Sequence, residues 1–101
     1  MKFIVLKNQQ WMFWAGGMVL YPFVIFSMRY PSRQLFRHEL EHCYQVQRKG
    51  VFKFYTSYVF NLFKHGYRKH PDEIPAWDIQ HTKLTEVEET WYKTGKINLE
   101  D

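Results

Sequence analysis

The stretch Ser32-Arg33-Gln34-Leu35-Phe36-Arg37-His38-Glu39-Leu40-Glu41-His42-Cys43-Tyr44-Gln45-Val46-Gln47-Arg48-Lys49-Gly50 decides the fold, because it reads as one helix with chemistry on an apolar face. Pro31-Ser32 supplies a break and an N-cap, the run from Arg33 to Lys49 contains neither Gly nor Pro, and Gly50 after two cations is a C-terminal stop. At about 100° per residue, Leu35, Glu39, His42 and Val46 fall on one side with His38 close by. Ionisable groups left unpaired on a buried face are costly, and one metal ion would satisfy both imidazoles at once.

Within that helix, His38-Glu39-Leu40-Glu41-His42 has the form H-E-x-x-H. Histidines four residues apart stack on one face and can reach a single ion, while Glu39 can meet a water beside it. Zinc lowers the pKa of such a water to about 7, and an adjacent carboxylate can take its proton. Glu41 is expected to point away from the ion towards solvent, and Cys43 to turn away from both histidines as a small buried thiol. A catalytic zinc takes three protein ligands and keeps one position open. Glu73 is the leading candidate for the third, with His65, His70, Asp72 and His81 as rivals.

The segments Arg37-His38-Glu39-Leu40-Glu41-His42-Cys43-Tyr44-Gln45 and His65-Gly66-Tyr67-Arg68, followed by Pro71-Asp72-Glu73-Ile74, resemble the short zincin-like metallopeptidases of bacteria and phages. These are minimal members of the gluzincin class, with H-E-x-x-H on one helix and a Glu on a later one. The resemblance spans about residues 17 to 80 and implies that His38, His42 and Glu73 bind zinc, with Glu39 as general base in peptide hydrolysis. The chain departs from that pattern at Pro75, where many such proteins have a second Glu, and at Trp77, where gluzincins often have Asp. Asp78 is the expected substitute as a second carboxylate behind a ligand. With Asp72 as N-cap, Pro75 falls in the first turn of a helix beginning near Glu73, where its missing N–H does no harm.

The 101 residues, 46% hydrophobic and 20% aromatic, are expected to form one zincin-like domain over 1–101, α+β and mainly helical, with a small N-terminal β-hairpin or sheet. A single cysteine excludes an internal disulfide framework and fits a reducing, cytoplasmic setting. The eighteen residues from Trp11 to Met28 carry no charge and form the competing reading, a membrane anchor. As a helix they would span about 27 Å against a hydrocarbon core of about 30 Å, and Gly16-Gly17 and Pro22 interrupt them. Two β segments, Lys2 to Lys7 and Met18 to Phe26, are predicted instead, pairing around Gly16-Gly17 with Pro22 at an edge or bulge. An edge strand beside the motif helix could pair with an extended peptide substrate.

Val51 to His65 is predicted as a second helix, with Val51, Phe54, Tyr55, Tyr58, Val59, Leu62 and Phe63 facing the core and Phe60 left on the polar side. After Gly66 a loop leads to Glu73. Its Tyr67 and His70 are candidates for stabilising an oxyanion, Tyr67 foremost, against the plainer expectation that Tyr67 caps the core and His70 sits in solvent. Thr85-Glu86-Val87-Glu88 has the form of a capping box, opening a helix to about Lys93 with Gly95 as its stop and its acids solvated. The net charge of +4 permits peripheral contact with anionic surfaces, including membranes. No helix-turn-helix, zinc-finger spacing or ribonucleoprotein motif accompanies it, so no specific nucleic-acid partner is expected. The expected partner is a peptide or protein substrate. The rival to hydrolysis is a zinc-stabilised interaction domain without catalysis.

Overall fold

A computed structural model describes residues 1–99; the last two positions of the 1–101 range lie outside the described residues. Among the described residues, four helices and a four-stranded sheet make a mainly helical α+β fold. Its elements are β1 (Lys2–Leu6), β2 (Gly17–Leu20), β3 (Phe23–Phe26), α1 (Arg33–Lys49), α2 (Val51–His65), α3 (Glu73–Ile79), α4 (Glu86–Thr94) and β4 (Lys96–Asn98). The sheet order is β2-β3-β1-β4, with β1 and β3 parallel and the other two pairings antiparallel.

The helices follow their local signals closely. Ser32 accepts a hydrogen bond from the Leu35 N–H at 3.1 Å, and Gly50 ends α1 at φ 86°, a region that favours glycine. Thr85 and Glu88 form the reciprocal capping box of α4, which Gly95 closes at φ 74°.

The strands depart from expectation in two ways. Met18 to Phe26 is not one segment, because Tyr21-Pro22 forms a turn that folds β2 back on β3, pairing Leu20 with Phe23. Proline has no N–H for a ladder, so the turn is where it does least damage, rather than an edge or a bulge. Gly16-Gly17 does not turn the chain between β1 and the next strand; Gly17 begins β2, and β1 lies against β3. The second departure is β4, which was not foreseen and which pairs Ile97 with Phe3.

Phe3, Val24, Phe26 and Ile97 from the sheet meet Phe36, Leu40, Cys43 and Val46 from α1 and Phe54 from α2, all at most 3% exposed. Burying one such large side chain contributes about 1.5–3 kcal/mol before entropy is charged against it. Cys43 is buried within this core, as expected. Glu41 is turned from the other acidic and basic groups of the motif yet is only 8% exposed, against the expectation of a solvated side chain; Arg48 stands 4.0 Å from it. Nor are all the acids of α4 solvated. Glu88 is buried, where it pairs with Arg37, accepts from the Tyr44 hydroxyl at 2.7 Å and so fastens α4 to α1.

Helix α2 lies over the core only in part. Phe54 is buried and Val51, Tyr55 and Tyr58 pack against the core, but Val59, Leu62 and Phe63 are exposed because no other element among the described residues covers that half of the helix. Trp11 to Met28 is loop and strand, and no helix among the described residues is long and apolar enough to cross a membrane.

Candidate metal centre

Helix α1 places His38 and His42 on one face with their rings 5.2 Å apart, and α3 brings Glu73 up to both. Oε1 of Glu73 lies 3.0 Å from Nε2 of His38 and 3.1 Å from Nε2 of His42. All three residues are buried, and their ligating atoms lie within 4.8 Å of one another. The group could hold a metal ion.

The protons show why a cation fits here. Gln45 donates through Nε2 to the Asp72 carbonyl at 2.9 Å, which leaves its Oε1 facing Nδ1 of His42 at 2.9 Å. An amide oxygen only accepts, so His42 keeps a proton on Nδ1, and in the neutral ring the lone pair is at Nε2. The Gln80 Oε1 fixes His38 in the same way through Nδ1 at 2.8 Å. Two imidazole lone pairs and a carboxylate oxygen then converge on one point. Such a meeting of acceptors is stable only with a metal ion among them or with a proton on each imidazole.

The electrostatics agree. Burial pulls the His42 pKa down, but hydrogen bonding to Glu73 and the charges of Glu39 and Glu73 outweigh it and hold it at about 9. His38 moves up in the same balance. Glu73 is held well below the usual carboxylate range, because its bonds to both histidines and to Tyr58 overcome the cost of burial. Glu39 behaves oppositely: burial raises its pKa against the attraction of the two imidazoles.

A cleft of about 400 Å³ opens over this cluster, with β2 and the preceding Trp14-Ala15 on one side and α2 on the other. His38, Glu39, His42, Tyr67 and Glu73 all line it, among mostly apolar neighbours such as Met18, Leu20, Phe54 and Leu62. Glu39 rests against the backbone of Gly17, where a Cβ would come within 2.9 Å of its Cγ. Gly17 is thus the cradle of Glu39.

The rival ligands are all placed elsewhere. His65 and His81 are exposed, and Asp72 is engaged with Lys49 at 2.6 Å. His70 is not in solvent: it is fully buried, stacks on Tyr58 with ring centroids 4.0 Å apart, donates from Nε2 to the Tyr58 carbonyl and accepts the Asp72 N–H at Nδ1. Asp72 sits at the N-cap position of α3 but makes no side-chain capping bond there. Asp78 is exposed, and glutamines 45 and 80 do the orienting assigned to it. Sequence reasoning also missed Tyr58, whose hydroxyl donates to Oε2 of Glu73. The signal for Gln45 was present, since three residues after His42 is the same helix face.

Comparisons of the chain with models of protein families, with curated proteins and with solved structures return no match.

Proposed function

We propose that this protein is a zinc metallopeptidase in which His38, His42 and Glu73 hold the ion and Glu39 is the general base. One observation carries the reading: two oriented imidazole nitrogens and a carboxylate oxygen converge beside a second buried carboxylate, at the floor of an open cleft. When bound, zinc supplies Lewis acidity and makes water nucleophilic near neutral pH.

The chain's own groups do the rest. Glu39 removes a proton as water adds to the scissile carbonyl carbon, then delivers it to the amide nitrogen as the C–N bond breaks. Tyr67 is half-exposed on the cleft wall, and burial with the charges of Glu73 and Glu39 pushes its pKa up to about 12, so it stays protonated and can donate to the developing oxyanion. Tyr58 positions Glu73 by holding its second oxygen. Strand β2 is the sheet edge at the cleft, and the Tyr55 hydroxyl occupies part of that edge by donating to the Val19 carbonyl at 2.9 Å and accepting the Tyr21 N–H at 2.8 Å. An extended substrate therefore pairs with the stretch around Gly17 and the Val19 N–H, directly beside Glu39.

The test is elemental mass spectrometry of protein purified without chelator, followed by hydrolysis of a mixed peptide library. About one zinc per chain is expected in the wild type, with loss in His42→Ala and Glu73→Ala. Glu39→Gln should keep the metal and lose hydrolysis by about 10²-fold or more. A zinc site that only stabilises the fold would leave Glu39→Gln indistinguishable from wild type, and no metal after zinc is supplied would sink the reading.

A further inference from the structure

Both lips of the cleft carry large apolar side chains that nothing among the described residues covers. On one lip Trp11, Phe13 and Trp14 cluster, with Phe13 and Trp14 rings 5.4 Å apart and Phe13 89% exposed. On the other, Leu62 runs down into the cleft and Phe63, next to it on α2, is 87% exposed. At about 100° per residue Phe52, Val59 and Phe63 form one outward stripe along α2, bordered by Lys53 and Lys64.

Along the chain segments that carry these lips, the charges have one sign. No Asp or Glu precedes Glu39, none lies between Glu41 and Asp72, and those three acids, like Glu73, are buried. Lys53, Lys64, Arg68 and Lys69 are exposed over the same stretch. A second copy docking by this face would bring like charges together. From this complementarity we infer that the cleft mouth docks on an anionic lipid surface, the aromatic rings entering the headgroup boundary and the cations meeting the phosphates. Docking seals the cleft against the bilayer. For the metallopeptidase reading, on which this consequence alone rests, the substrate is then a polypeptide at or in the membrane surface.

Flotation with phosphatidylglycerol–phosphatidylcholine vesicles tests the docking, with pure phosphatidylcholine vesicles as the uncharged comparison. The protein should float with the anionic vesicles and release as salt rises from about 0.1 M to about 1 M, where the Debye length falls from about 10 to about 3 Å. Phe13→Ser and Phe63→Ser remove exposed rings and leave the core intact, and each should weaken binding by about tenfold; Lys64→Glu should do the same. Absence of flotation, flotation unchanged in all three variants, or a dimer that Phe63→Ser dissolves in lipid-free solution would overturn the inference. Flotation should be the same with and without chelator, so failure of the zinc reading and failure of the docking are told apart.

Discussion

A methyl group added at Gly17 would press on the Glu39 side chain at 2.9 Å, and Glu39 is the proposed general base. Gly17→Ala is therefore expected to keep its metal while lowering peptide hydrolysis by about tenfold or more, since small misplacements at a reacting group are costly; metal content and turnover measured on one sample check it. Tyr58→Phe removes the hydrogen bond to Oε2 of Glu73, and zinc affinity should fall by about 10- to 100-fold in a competition titration with a chromophoric chelator. An unchanged affinity would mean that Glu73 is held by its helix alone. At this scale the sequence showed what is local. His38, Glu39 and His42 share one helical period, and Glu73 came from resemblance to a motif. Tyr58 and Gln80 could not be read, because what they touch depends on how α2 and α3 cross α1. Gly17 looked like a turn residue since its closest neighbour lies 22 residues away on another element.

Among the elements, α4 shows how a correct local reading can miss a tertiary role. The capping box was legible as Thr85-x-x-Glu88, but a box by itself implies a solvated acid. Here the Glu88 carboxylate also meets Arg37 and Tyr44, and these contacts with its own N-cap bonds hold it below the usual carboxylate range despite burial. Glu88→Ala should cost about 3 kcal/mol, because it strands a largely buried guanidinium and removes a cap together; chemical denaturation checks it, with Glu86→Ala as an exposed comparison expected within about 0.5 kcal/mol of wild type. The strands were legible in place but not in pairing. Alternation in Met18 to Phe26 does not reveal a two-residue turn at Tyr21-Pro22, and three residues at β4 are too few for a periodic signal. Their partner, β1, lies more than ninety residues away.

For the molecule as a whole, the cluster links stability to protons and, under the proposed zinc site, to metal as well. His42 titrates at about 9 in the folded, metal-free protein against 6.5 in an unfolded chain. A raised folded value means its contribution is complete below about pH 6.5 and is lost as pH rises through about 9. Glu73, lowered, has the opposite sign: its contribution is present above 4.5 and is lost as acid approaches its depressed pKa. Metal-free protein is thus expected to lose up to about 3 kcal/mol between pH 6.5 and 9. The stabilisation gained from added zinc should grow over the same interval as the competing protons leave. Thermal melts across pH with chelator and with zinc test this, and parallel flat profiles would contradict it. The order β2-β3-β1-β4 has a further consequence in time. The amino group of Met1 meets the Leu99 carbonyl at 2.8 Å, and Phe3 waits for Ile97. A ribosome releases β1 more than ninety residues before β4, so one side of β1 stays unpaired while the whole stretch between them is made, and the helix that carries His38 and His42 is complete before the sheet can close.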